Sequence, residues 1–549
     1  MIRALLPLLL LPAILPAQEP ALTTSGRLQL HVPAEAPPLR DVRVSKGQAG
    51  PAAWLEDPVQ RERLTDVTFP IQWWRWQELT LNFTPAHDGE VELMLGGAWK
   101  EASPGVLERQ EIHWDDLSAE GTELANGGFE TPGEGAPAGW NSPWHPYPSS
   151  SDWPLDTGSP RGGKSLAASW HNRPLTQKLK VTAGKPITLK LHARAVTPPG
   201  FKTPKKQAAD TPAHHANAKL KRGVNLGNCW EAPPGGGWKI QYTADDIDLI
   251  ATQGFDHIRV PVAWHHFIEN GAIRTSHLDE LQPVLKRARE KNLRILLNWH
   301  HFDDLCRQPE THRAAFAAGW KLVSRHFKDW PDTLIFELLN EPHDKLDGDI
   351  MGSIYRDAID VIRATNPQRT IMVNPSHWAT VGALDRLVLP DDDDRIIVSI
   401  HCYEPFQFTH QDAGWANLTG LRGIVYPGPP STPLSLPDSF KDRADIVAWV
   451  EAYNTRRGET NPCSAAVIGR LLDDAVAWSQ HYGRPIHLGE FGAYRVADDQ
   501  SRERYAADVR RAAEKRNLPW AMWDWKAGFA YWDAQAGKPL LREALFGAP

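Results

Sequence analysis

The chain has 549 residues, a net charge of −7, 41% hydrophobic and 23% charged residues. That length excludes a peptide or minimal module and allows about three or four domains, and the acidic balance with no long basic run lacks the counterion-release signature of a nucleic-acid binder, so no nucleic acid is expected as a partner. The 24 Trp, 46 Pro and 41 Gly add flat rings able to stack on sugar faces and many turns and linkers.

In chain order, residues 1–17 read as a signal peptide. Arg3 supplies the positive start, Leu5 to Leu15 is apolar but broken by Pro7 and Pro12, and Ala17 precedes Gln18. Export to the periplasm or the extracellular space is expected. The apolar run falls short of the roughly 20 residues of a spanning helix, and no later segment qualifies, so no membrane partner is expected. Export permits a disulfide among Cys229, Cys306, Cys402 and Cys463, but the spacing selects no pairing and lacks the close pairs of a zinc site.

From residue 18 to about 196 the texture is short period-two runs: Leu28, Leu30, Val32; Leu79, Leu81, Phe83; Val91, Leu93, Leu95; Ile187, Leu189, Leu191. Alternation with turns between the runs predicts β-sandwich structure. The stretch Asn126-Gly127-Gly128-Phe129-Glu130, with the Pro/Gly-rich loop to Trp140 and the later Gln177 to Lys180, resembles the opening of jelly-roll carbohydrate-binding modules. His113 to Leu117 looks like a closing strand, so two sandwiches are expected, 18–122 and 123–197. The cluster Trp73-Trp74-Arg75-Trp76 reads either as a sugar platform or as core packing. Residues 198–218, with Pro198-Pro199-Gly200, several lysines and no apolar periodicity, read as a linker.

From 219 to 549, apolar runs of four to eight residues alternate with amphipathic stretches. Eight such runs occur: Gly223–Gly227, His257–Trp264, Arg294–His300, Leu334–Glu341, Thr370–Asn374, Arg395–Tyr403, Pro485–Phe491 and Trp520–Trp525. Helices are predicted over Asp279–Lys291, Arg313–Phe327, Ile350–Ala364, Ala465–His481 and Arg502–Arg516. Eight strand-helix units in this length predict a (β/α)8 TIM barrel rather than an open doubly wound sheet, for which the glycine-rich phosphate turn is missing.

A barrel builds its site at the carboxyl ends of its strands. Arg259 lies in the second strand; His300 and His301 end the third; Asn340 and Glu341 the fourth; His401 and Tyr403 the sixth; Glu490 the seventh; Trp523 lies in the eighth. Two carboxylic acids facing each other across the mouth suit hydrolysis of a glycosidic bond. Neighbouring His300 and His301 point to opposite faces of a strand, which argues against both holding one metal ion. Asp303-Asp304 and Asp391 to Asp394 read as solvated loops.

Leu339-Asn340-Glu341-Pro342, Leu488-Gly489-Glu490-Phe491-Gly492, Arg259-Val260-Pro261, Trp299-His300-His301 and His401-Cys402-Tyr403 together resemble the retaining family 5 glycoside hydrolases, from about Arg222 to Gly547. Asn225 to Asn228 with Glu231-Ala232-Pro233, and Phe406 to Gln411 with Trp415, resemble the endoglucanase branch. A Pro/Gly-rich stretch from about 417 to 463 departs from the pattern as an insertion. The resemblance implies Glu341 as general acid/base, Glu490 as nucleophile, Arg259 and Tyr403 as supports of Glu490, and Asn340 as the partner of the substrate 2-hydroxyl. It also implies His300, His301 and His401 as orienting or sugar-binding residues, with Trp523 as a stacking floor. Glu231, His410 and Trp415 are candidate subsite residues in the rim loops. The expectation is an exported, monomeric endo-β-1,4-glucanase acting on a polysaccharide without cofactor or metal. A β-mannanase or mixed-specificity hydrolase is the rival enzyme, and a non-catalytic carbohydrate-binding protein the rival of another class.

Overall fold

The computed structural model describes residues 24–32, 40–48, 50–54, 59–61, 64–71, 76–103, 106–107, 110–143, 161–196, 206–233, 235 and 240–547. The expected signal peptide and Trp73 to Arg75 lie outside them. Two compact units result, one within 21–201 and one from 202 onward.

The first unit is one β-sandwich. A five-stranded sheet runs in the order Leu175–Val181, Gly89–Gly97, Thr24–His31, Leu64–Ile71, Val59–Arg61, and a six-stranded sheet in the order Ala167–Ser169, Ile112–Glu120, Ile187–Ala195, Gln77–Thr84, Arg40–Gln48, Gly50–Trp54. Alternation does what period two dictates: Gln77–Thr84 buries every second residue. Leu79, Leu81, Leu93, Leu95, Leu189 and Leu191 are fully buried, and Phe69 of one sheet meets the edge of Trp114 of the other at 6.2 Å. The expected boundary at 122/123 is corrected here. Val91 pairs with Leu179, and Leu81 with Leu189, so strands from both sides of 123 interleave in both sheets. Asn126 and Gln177 instead tie a loop that joins the halves: Asn126 donates to the carbonyls of Thr131 and Ala138, and Gln177 to those of Ala125 and Gly139.

The second unit is a closed parallel barrel of eight strands: β1 (Arg222–Asn225), β2 (His257–Val262), β3 (Arg294–Trp299), β4 (Leu334–Glu337), β5 (Ile371–Val373), β6 (Ile396–His401), β7 (Ile486–Glu490) and β8 (Trp520–Met522). Each of the eight apolar runs supplies one strand. The predicted helices appear as Thr275–Glu290, Pro309–His326, Gly348–Arg363, Ala465–Tyr482 and Asp499–Lys515. Helices Ala244–Gln253 and Ala444–Thr455 were not predicted.

The expected linker is also corrected. Its last third is a short helix, Pro212–Asn217, started by Thr211 and proline and closed into a capping box with His214. Ala213 packs with Leu296, Ile335, Met372 and Ile397 of β3 to β6, and Asn217 donates to the Ile486 carbonyl, so this segment belongs to the barrel unit. The 417–463 insertion seats on helix Asp499–Lys515: Ser501 accepts from the Tyr426 amide, Tyr426 donates its hydroxyl to Asp508, and Arg504 donates to the Tyr426 carbonyl. Among the described residues no disulfide forms, and Cys306, Cys402 and Cys463 are buried. Among the described residues no helix is long and apolar enough to cross a membrane.

Candidate active site

A charge inside a barrel must be paired, because an isolated buried ion costs far more than a strand can recover. Arg259 of β2 is fully buried and is the hub of the mouth. Its Nε and Nη2 donate to Glu337 of β4 at 2.6 and 3.0 Å, a two-pronged ion pair with an acid that is itself 0% exposed. Its Nη1 donates to Asn225 Oδ1 at 2.9 Å and to Glu490 Oε1 at 2.6 Å, and its Nη2 also to Asn340 Oδ1 at 2.6 Å. Burial alone would lower the guanidinium, but Glu337 and Glu490 raise it further, so it stays a cation. Asn225 is fixed in turn to the carbonyls of Gly489 and Met522, and Asn374 donates to Glu337 Oε1 while accepting the Glu341 amide.

Glu490 and Glu341 end up together. One carboxylate oxygen of each, with a His401 ring nitrogen, all lie within 4.8 Å of one another. Glu490 receives Arg259 on Oε1 and the Tyr403 hydroxyl on Oε2 at 2.8 Å. Burial pushes its carboxyl up and the nearby Glu341 adds to that, while His401, Arg259 and the Tyr403 hydrogen bond oppose it. Glu341, in left-handed backbone at φ 47°, meets His401 Nδ1 through Oε1 at 2.7 Å. Its carboxyl is also raised by burial, opposed by His301, Arg259 and His343. Burial lowers His401 to about 4, with Arg259 adding to this and Glu490 and Glu337 opposing it. The two acids differ in their contacts: Glu490 touches the Arg259 guanidinium, and Glu341 the His401 ring. Gly489 makes the arrangement possible, since a Cβ there would stand 2.3 Å from Ser399 Oγ and 3.1 Å from His401 Nε2.

The remaining expected residues divide. Asn340 gives Oδ1 to Arg259, and its side chain also hydrogen-bonds Glu341, which holds that carboxyl down. His300 meets Asn298 Oδ1 through Nδ1 at 2.8 Å and stacks 5.5 Å from Trp523 with planes 11° apart. Trp523 lies against Gly227, where a Cβ would come within 2.8 Å of the indole. His301 is exposed, its ring edge-on to His300 at 4.1 Å. His410 is packed between Phe406 and Tyr403, at 4.3 and 4.9 Å, and so braces the tyrosine that reaches Glu490. Trp415 is 55% exposed and leans on Tyr494 at 4.9 Å. Glu231 is buried, its carboxylate takes the amides of Asn228 and Cys229 in its own turn, and burial lifts it to about 7. It thereby organises the loop after β1. Glu337, Asn225 and Asn374 were missed. The signal for Glu337 was available, for a lone acid and a lone arginine in two apolar barrel strands have to find each other.

The family described as Cellulase (glycosyl hydrolase family 5) matches over residues 216–528. The chain is 26% identical over 333 residues to Endoglucanase 3 of Fibrobacter succinogenes, covering 57% of this chain and 50% of that protein. To Endoglucanase C of Acetivibrio thermocellus it is 25% identical over 335 residues, covering 56% and 91%. The match spans half of Endoglucanase 3 and 29% of Endoglucanase H of Acetivibrio thermocellus. Among solved structures, Thermotoga maritima Cel5A with cellobiose is similar at TM-score 0.52 and 31% identity, and with mannotriose at 0.52 and 30%; each match covers 61% of this chain and 100% of the other.

Proposed function

Because the chain belongs to glycosyl hydrolase family 5, we propose that it cleaves internal β-1,4-glucosidic bonds of cellulose or related β-glucans with retention of configuration. The observation that carries this reading is the pairing of Glu341 and Glu490 with oxygens within 4.8 Å. That spacing suits direct attack on the anomeric carbon, whereas an inverting pair stands about 6.5–9.5 Å apart to admit a water.

In the first step Glu490 Oε attacks the anomeric carbon, the bond to the leaving oxygen breaks, and the Glu341 proton passes to that oxygen, giving a glycosyl ester on Glu490. In the second, the Glu341 carboxylate takes a proton from water as the water oxygen attacks the same carbon and Glu490 leaves as carboxylate. Arg259 and Tyr403 keep Glu490 ionised before attack and accept its charge again on release. Asn340, oriented by Arg259 through Oδ1, offers its side-chain amide beside Glu341 to the 2-hydroxyl, an interaction that strengthens as the oxocarbenium character grows. Trp523, backed by His300, offers a flat apolar floor for the sugar ring at the cleavage point. Export, expected from residues 1–17, fits a polymer substrate too large to enter a cell.

A second reading, mixed glucan and mannan specificity, is favoured by the mannotriose complex of Cel5A, whose structure is like this one. Rates on carboxymethyl cellulose, glucomannan and mannan side by side separate the two. The acid role has its own test. Glu341→Ala should lose on the order of 10²–10⁴-fold on unactivated glucan and far less in the first step on a dinitrophenyl cellobioside, whose leaving group needs little protonation. Equal losses on both would remove Glu341 from that role.

A further inference from the structure

Inside the barrel, toward the amino ends of the strands, lie two histidines that bond cleavage as described leaves unused. His257 opens β2, two residues before Arg259, and His487 lies in β7, three residues before Glu490. Both are fully buried. Their Nε2 atoms meet at 3.1 Å, with ring centroids 5.1 Å apart and planes at 65°. Such a contact holds one proton, because two N–H groups would point hydrogens at each other and two bare nitrogens would oppose lone pairs. The other nitrogen of His257 is tied down as well. Its Nδ1 lies 2.9 Å from Asp256 Oδ1, and Asp256 accepts the amides of Lys221 and Arg222 at 3.0 and 2.8 Å. Gly223 of β1 leaves room for the two rings, since a Cβ there would stand 2.1 Å from His257 Nε2.

We propose that His257 and His487 are positioning residues for Glu490: their contact is a rung from β2 to β7 that holds the nucleophile's strand where Arg259 reaches it. In the closed order of strands β8 and β1 stand between β7 and β2, so a direct link between these two falls to side chains. Two such links run in parallel, His257 with His487 inside and Arg259 with Glu490 at 2.6 Å at the mouth. The backbone ladders on either side of β7 are weak near Glu490. Among the described residues the register toward β8 is one pair, Leu488 with Trp520, and toward β6 it slips between Ile400 and His401, beside Glu490 itself. Asn225 of β1 adds one bond, to the Gly489 carbonyl. A misplacement of about 1 Å at a reacting atom can cost on the order of 10²-fold in rate, so a rung three residues from the nucleophile bears on chemistry as well as packing.

Alignment of Glu490 is read by the rate, per folded molecule, at which a 2-deoxy-2-fluoro cellobioside with a dinitrophenolate leaving group esterifies it. In His487→Leu, which keeps an apolar side chain but no nitrogen, that rate should fall on the order of 10–10²-fold, with the half-saturating reagent concentration within about twofold of the parent. His487→Gln should return the rate to within about threefold of the parent, because its amide offers His257 Nε2 both a donor and an acceptor. A merely structural role would lower Tm in both variants and leave the rate per folded molecule unchanged. Should His487→Leu not fold, Gly223→Ala is read in its place, since its methyl pushes the His257 ring aside with both histidines present. The proposal rests on Glu490 as the nucleophile, and peptide mapping of the labelled parent keeps the two apart. A label elsewhere removes the nucleophile reading. A label on Glu490, with the parent rate in the folded His487→Leu or Gly223→Ala protein or with His487→Gln unfolded or equally slow, overturns the rung.

Discussion

Replacing Glu490 by Ala is expected to lower kcat/KM on β-glucan by on the order of 10⁴-fold or more while leaving a folded protein. The side chain is the only group placed to form the glycosyl ester in the scheme above, and its oxygens are aimed by Arg259 and Tyr403 at 2.6 and 2.8 Å. The fold should survive because Arg259 keeps its two-pronged pair with Glu337 when Glu490 is truncated. Circular dichroism and the unfolding midpoint provide the control. Activity within tenfold of the parent in a folded Glu490→Ala protein would show that another group attacks the sugar.

The second large effect falls on stability. Arg259→Met strips the cation from Glu337, which is fully buried, and from Glu490, which is 5% exposed. Removing one partner of a buried pair costs about 3–5 kcal/mol, whereas replacing both by apolar residues of similar volume is often close to neutral. The double variant Arg259→Met with Glu337→Met should therefore recover most of the stability that the single one loses, though not the activity. Urea unfolding of the three proteins at neutral pH reads this directly. A single variant within about 1 kcal/mol of the parent would mean that Glu337 does not depend on Arg259 for its charge.

The barrel was legible because each strand is buried on both faces and so reads as a continuous apolar run, with amphipathic helices between. The two paired acids, Glu341 and Glu490, stood out because each ends such a run. Glu337 did not, since it sits inside one, three residues before Asn340, and looks like an interruption of Leu334 to Leu339 rather than the anchor of Arg259. The sandwich was legible strand by strand and misread as two bodies, because alternation fixes which face a residue takes and says nothing of which distant strand it joins. Val91 and Leu179 pair across 88 residues, and no local signal carries that. The turn that Glu231 closes was not read from the sequence, although a carboxylate two and three residues from free amides can satisfy its own turn.

Retention through a covalent ester on Glu490 is the centre of the account, and trapping that ester tests it most directly. A 2-deoxy-2-fluoro cellobioside with a dinitrophenolate leaving group slows both steps but favours formation of the ester over its hydrolysis. The protein should gain one glycosyl mass, lose activity in step with labelling, and yield on proteolysis a labelled peptide whose modified residue is Glu490. A label on a different residue, or continued turnover of glucan with no adduct formed, would contradict it.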